Sequence, residues 1–180
     1  MTNTFHLPLH DHRARLRPLR PADAAAFAEG TADPRVREYA HLPEPHYTPE
    51  SVTAMIRDVT DPGLERGDLA VLAIADATTD AFAGSLVLFD ISAHGAEVGF
   101  WLHPAHRGAG LAVAALDLAV RLARKSGLPV LTARTAPANA ASRSVLERAG
   151  FTWTDTVPGR TPSGAEIDLH HYRLPIAMTG

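Results

Sequence analysis

The chain contains no cysteine, which excludes a disulfide framework, a thiolate metal site and a catalytic thiol, and is compatible with a reducing cytoplasm. Neither sign of charge is in large excess: 17 basic residues stand against 20 acidic ones, a formal net charge of -3. No basic surplus argues for a nucleic-acid partner. No stretch approaches the roughly 20 consecutive apolar residues of a membrane helix, and the first twenty residues, broken by His, Asp, Arg and Pro, hold no signal-peptide core. The expectation is a cytoplasmic protein with no membrane partner. Internal repeats and low-complexity blocks are lacking too. So are two nucleotide signatures. Nothing reads as Gly, four residues, then Gly-Lys-Ser/Thr, and a dinucleotide fingerprint would need a third glycine where Val113 stands.

What is there suffices for one core. At 180 residues and 46% hydrophobic, the chain predicts a single domain over 12–176, preceded by a loose arm over 1–11. His6, His10 and His12 in that arm read as a solvated tail, since no fourth ligand accompanies them, and no metal site is expected. Arg13 to Arg17 alternates with period two and predicts a half-exposed strand whose three arginines share the solvent side. Helices are predicted from Pro21 to Glu29, from Arg35 to Ala40, and after Thr48-Pro49-Glu50, a cap, a proline and an acid. This last helix carries Val52, Met55, Ile56 and Val59 on one face until Asp61-Pro62-Gly63 closes it.

The period then changes to two over Leu69–Ala75, Ala83–Phe89 and Gly95–Leu102. A long helix follows, buried through Leu111, Ala115, Leu118 and Leu122, with Asp117 and Arg121 spaced to pair on its wet face. Val130–Thr135 is a strand, and Ala140–Ala149 a helix with Gly150 at its C′ position. Phe151–Val157 and Ile167–Leu174 are the closing strands, joined by a turn-rich stretch over 158–164. This order predicts an α/β (α+β) domain. Its sheet is mixed and mostly antiparallel, with about seven strands, helices on both faces, and one parallel pair where the long helix crosses over.

The chemistry gathers between Gly99 and Ala112. An apolar strand leads to a turn bearing Arg107, Gly108 and Gly110, and then to the first turn of the long helix. Two glycines remove the Cβ atoms that would keep a ligand off the backbone, and a helix start presents unpaired N–H groups and a positive dipole end. With the guanidinium of Arg107, this is a candidate site for phosphate or pyrophosphate.

Arg107-Gly108-Ala109-Gly110-Leu111-Ala112 resembles the Arg/Gln-x-x-Gly-x-Gly/Ala signature of the Gcn5-related N-acetyltransferase (GNAT) superfamily. Asn139-Ala140-Ala141-Ser142, followed by Glu147-Arg148-Ala149-Gly150-Phe151, resembles its second signature at the usual distance. Glu97 to Leu102, with Asp33-Pro34 and Val36, is most similar to the RimJ/RimL-like branch. The resemblance implies a single GNAT-like domain with acetyl-CoA as cosubstrate, moving an acetyl group to a primary amine by direct attack on the thioester. The acceptor would be a protein N-terminus, a small amine or an antibiotic. The resemblance places the pyrophosphate on Arg107, Gly108, Ala109, Gly110, Leu111 and Ala112. The pantetheine arm would lie along the main chain of Phe100, Trp101 and Leu102, and against Asn139 and Ser142.

Amine attack needs a base, for which Glu97 is the first candidate, and the departing thiolate needs a donor. Many members use a tyrosine for the second task, but Leu146 occupies the matching place, which leaves Ser142. Plainer readings stand beside these: Glu97 as a surface acid, Ser142 as an ordinary polar residue at N3, Asn139 as a helix cap. Tyr39, His41, Tyr47 and Tyr172 are candidate acceptor-site residues, with packing as the alternative role. A homodimer is a further expectation of the branch. The missing tyrosine keeps open a rival function, a non-catalytic CoA-binding sensor or partner module.

Overall fold

The computed structural model describes residues 4–40, 42–161 and 164–178. The strands are β1 (Leu9–His10), β2 (Ala14–Pro18), β3 (Ala70–Asp76), β4 (Phe82–Ser92), β5 (Gly95–Leu102), β6 (Val130–Thr135), β7 (Thr152–Arg160) and β8 (Glu166–Pro175). They form one eight-stranded sheet in the order β1-β2-β3-β4-β5-β6-β8-β7. Neighbours pair antiparallel except β5 and β6, which run parallel because a helix returns the chain between them. The sequence pattern misses β1. Leu9 is buried and pairs opposite Leu16, while Phe5 and Leu7 pack on the core, so the segment expected to be a loose arm lies against the sheet from Phe5 onward.

Alternation along the strands divides the core into two. Leu16, Leu72, Ile74 and Leu86 face α5 (Leu111–Lys125), whose Leu116, Leu118 and Leu122 are fully buried against them. Each such leucine contributes roughly 1.5–3 kcal/mol. Ala73 and Phe82 face the other way, toward α1 (Ala24–Thr31) and α3 (Pro49–Met55), where Phe27, Val52 and Ile56 form the second cluster. Between α1 and α3 lies α2 (Pro34–Tyr39), and α6 (Ala140–Arg148) follows β6. As expected, Gly150 ends α6: its N–H donates to the Glu147 carbonyl at 3.1 Å and that of Phe151 to the Leu146 carbonyl at 3.0 Å.

Three local expectations give way. First, Arg17 is not on the solvent side but 2% exposed, because the face opposite α5 is covered by the Pro21–Asp23 turn. Its Nη1 and Nη2 donate to Oδ2 and Oδ1 of Asp23 at 2.8 and 2.9 Å, and its Nε to Oδ1 of Asp80 at 2.9 Å. Second, Asp61-Pro62-Gly63 does not end the third helix. A π turn over Ile56–Thr60, closed by an i→i+5 bond from the Asp61 N–H to the Ile56 carbonyl, admits Pro62 into the first turn of α4 (Asp61–Arg66). The extra residue rotates the apolar face, so Thr60 is 1% exposed and Val59 47%. Third, Arg121 donates to the His10 carbonyl at 3.1 Å instead of pairing with Asp117, whose carboxyl is pushed up by burial and then by Asp11.

Asp80 also pairs with Arg15 and Arg20 at 3.2 and 2.8 Å. Its carboxyl is held below the usual range, first by the Arg17 hydrogen bond. A depressed folded value means that in acid the unfolded chain binds the extra proton. The stability from this group is complete above the unfolded value of about 3.9 and disappears as pH falls through the folded value. Melting curves from pH 5 downward should show a shallower loss in Asp80→Asn than in the parent, since asparagine keeps the positive-φ backbone and removes the titration. Identical slopes would remove Asp80 from the acid response.

Candidate active site

The sheet opens at its parallel pair. β5 is hydrogen-bonded to β4 from Glu97 to Leu102, but it registers with β6 only at Ala96–Leu131 and Glu97–Thr132. Beyond that point β6 continues with β8 alone, Ala133 opposite Tyr172 and Thr135 opposite His170. Among the described residues Val98 to Leu102 therefore have no strand partner on the β6 side, and this edge lines a cavity of about 990 Å³. An open edge of backbone N–H and C=O groups can take an extended amide-containing ligand as an added strand.

At one end of the edge lies the start of α5. Gly108 and Gly110 have φ of +83° and +74°, a region L-residues adopt at a cost, and a Cβ on Gly108 would enter open space. Gly110 caps α5 without a side chain, and the first helical bond runs from the Ala114 N–H to the Gly110 carbonyl at 3.2 Å. The preceding N–H groups point out of the helix end. Arg107, Gly108 and Ala112 line the cavity; Ala109, Gly110 and Leu111 do not, and the Leu111 side chain belongs to the core. Arg107 is not a free cation. Its Nη2 donates at 2.8 Å to Oδ1 of Asp33, which also caps α2 by accepting from the N–H groups of Arg35 and Val36 at 3.1 Å. The Asp33 carboxyl is held below the usual range, chiefly by Arg107.

Further along the edge lies Glu97. Since Ala96, Val98 and Phe100 face the α5 core, alternation turns Glu97 to the opposite side, into the cavity. Its side chain is 15% exposed, and Oε1 accepts from Nε of Arg134 at 2.7 Å. Across the cleft, Oδ1 of Asn139 accepts from the Ser142 N–H at 3.2 Å, so Asn139 is the cap of α6 and lines the cavity as well. Ser142 lines it too, its hydroxyl making no hydrogen bond among the described residues. Leu146, at the place where the resemblance implies a tyrosine in many members, is 1% exposed and forms part of the wall.

The aromatic candidates separate. Tyr39 lines the cavity. Tyr47 does not: it is buried edge-on against Phe27 at 5.6 Å, and burial pushes its phenol up. Tyr172 is buried beneath the sheet, its hydroxyl donating to Oε1 of Glu147 at 3.2 Å. Both are core residues. Their hydrophobic bodies were the stronger determinant, and sequence alone does not separate that from pocket lining. His41 lies outside the described residues. The Trp101 ring packs on Phe27 and Phe82, at 5.2 and 5.8 Å, which leaves the main chain of Trp101 for the cavity. The sequence reading overlooked Arg134 and the pairing role of Asp33; only the β5–β6 register and the fold of α2 against the glycine turn bring them in. Among the described residues no group of three or more His, Asp or Glu is placed to hold a metal, and no helix is long and apolar enough to cross a membrane.

The fold recurs in solved acetyltransferases. The ribosomal-protein-S5-alanine acetyltransferase from Vibrio fischeri superposes with a TM-score of 0.81 at 17% identity, over 95% of this chain and 97% of that one. Mycobacterium smegmatis RimJ in complex with CoA-disulfide gives 0.76 at 24% identity, over 90% and 81%. The microcin C7 self-immunity acetyltransferase MccE in complex with acetyl-CoA and AMP gives 0.80 at 17%, over 92% and 94%. At such identities the likeness establishes the fold. The family model for the acetyltransferase (GNAT) domain matches residues 13–152, which include both motif-bearing segments and the split strands, and the chain belongs to that family.

Proposed function

We propose that this chain is an acetyl-CoA-dependent N-acetyltransferase of the RimJ/RimL-like branch that acetylates a primary amine by direct attack. The observation that carries the proposal is the unpaired β5 edge, which runs from the glycine turn at Arg107 to the carboxylate of Glu97 along one cavity. The residues present fit acetyl-CoA: the cradle at Gly108 is open to an anion, and the edge is open to amides. The α5 N–H groups and the remaining donors of Arg107 would hold the pyrophosphate, and the main chain of Phe100 to Leu102 would pair with the pantetheine arm. Glu97 would accept the ammonium proton of the acceptor through Oε2, directly or through water. The Ser142 hydroxyl would donate to the departing sulfur. The branch assignment draws support from relatives named for ribosomal-protein alanine acetylation and RimJ, and the cysteine-free composition suits a cytoplasmic enzyme.

Glu97→Gln should lower kcat by roughly 10²–10³, within the usual range for losing a general base, and Ser142→Ala by about tenfold. Both should retain acetyl-CoA affinity within about threefold, since neither removes a pyrophosphate contact. Free-CoA release against a broad amine panel, with calorimetric titration of acetyl-CoA, reads both quantities. Full kcat in either variant removes that residue from the mechanism.

A further inference from the structure

The charges around the cavity indicate the acceptor's chemistry. Among the described residues four arginines line it, Arg35, Arg107, Arg134 and Arg160, against two acids, Glu38 and Glu97. Arg107 is committed to Asp33 and the donor end, and Arg160 to Glu166 at 2.8 Å. With those two compensated, Arg35 and Arg134 stand against Glu38 and Glu97, so a polyamine or an aminoglycoside would find no surplus of negative charge there.

Within this set, Glu97 and Arg134 form an open pair. Only Oε1 of Glu97 and Nε of Arg134 are used, at 2.7 Å. Oε2 of the glutamate and Nη1 and Nη2 of the arginine make no hydrogen bond among the described residues, and the arginine side chain is 44% exposed. A fixed carboxylate oxygen beside a free guanidinium fork is complementary to an ammonium with an anionic group a few bonds away. Phe89, Val98 and Leu169 supply apolar wall in the same cavity.

From these features we infer that the acceptor is a zwitterionic amine of the α-amino-acid type, whose carboxylate or phosphate is held by Arg134 while its ammonium meets Glu97. The inference builds on the N-acetyltransferase reading and narrows its substrate class. Arg134 then determines specificity and touches the acceptor, not the acetyl donor.

The test uses leucine, leucinamide and 3-methylbutylamine, which share a side chain and differ in the anion, with the aminophosphonate analogue of leucine as a fourth arm that separates carboxylate from phosphate. Acetyl-CoA binding is measured by calorimetry and turnover by CoA release. The wild type should show kcat/KM at least about tenfold higher for leucine or its phosphonate than for the amide and the plain amine, as a site built to pair a charged group rejects its absence. Arg134→Gln should cut that ratio below about threefold, with Arg134→Lys intermediate and acetyl-CoA affinity unmoved in both. Comparing ratios between enzymes cancels the intrinsic reactivity of each amine. Equal or better turnover of the analogues that lack the anion by the wild type overturns the inference even if a variant fails to fold. So does a ratio that Arg134→Gln leaves unchanged. Absence of acetyl-CoA binding, or of turnover with every amine of a broader panel, overturns the acetyltransferase reading itself.

Discussion

Replacing Gly108 by valine is expected to weaken acetyl-CoA binding by about 100-fold while leaving a folded protein. The backbone there sits at φ +83°, which costs an L-residue roughly 1–2 kcal/mol. Nothing lies within 4 Å of the added Cβ, so no clash adds to that cost. The melting temperature should fall by only about 2–8 °C in a domain of this size. Affinity suffers more because relaxing the turn re-aims its N–H groups and the side chain fills the cradle; each charge-assisted bond lost costs about 1.5–3 kcal/mol. Gly110→Val should act in the same direction. Its Cβ would come within 2.8 Å of Nη1 of Arg13, the movable end of a flexible side chain, so the left-handed φ dominates there too. Calorimetry on the variants, paired with a thermal melt, separates lost binding from lost fold; unchanged affinity would contradict the pyrophosphate assignment.

The largest effect on stability is expected at Asp23. Its carboxylate forms a two-pronged pair with Arg17, their side chains 6% and 2% exposed, and also accepts from the Arg20 N–H at 2.8 Å. Asp23→Ala would leave a buried guanidinium with Asp80 as its remaining carboxylate partner. Breaking such a pair from one side costs about 3–5 kcal/mol, and the retained Asp80 contact places this case near 3. That corresponds to roughly 6–12 °C of melting temperature. Arg17→Met with Asp23→Leu should recover much of the loss, because replacing both charges leaves none unpaired. A single-variant loss under about 1 kcal/mol in denaturant titration would show that the pair is better solvated than its burial indicates.

The same two regions show what a sequence can and cannot disclose here. The backbone of the glycine turn was legible because its needs are local: Arg107, Gly108, Gly110 and the helix they open are contiguous, and the left-handed φ at both glycines follows from residue type. Asn139 and Gly150 were legible as cap and stop of α6 for the same reason. Arg17 was misplaced because period two states that alternate residues share a face, not what covers that face; a turn carrying Asp23 does. The π turn before Pro62 was hidden because an i→i+5 bond has no composition signal, and it moved Thr60 rather than Val59 into the core. At the site, the direction of Glu97 and the identity of its partner both depend on register. Glu97 opposite Thr132 sets Arg134 two residues further along the same face, a relation no local pattern encodes. Tyr47 and Tyr172 were drawn to the pocket by residue type and taken from it by packing.

The proposed reaction needs one cavity that joins a CoA-binding turn to a base that activates an amine. Its most direct test is a paired count, in one reaction, of CoA thiol released from acetyl-CoA and of acetylated amine formed, each determined by mass spectrometry over a broad amine panel. Equal amounts of the two products are expected, abolished without amine and strongly reduced in Glu97→Gln. Binding of acetyl-CoA with neither product formed would contradict it and favour a non-catalytic CoA-binding module.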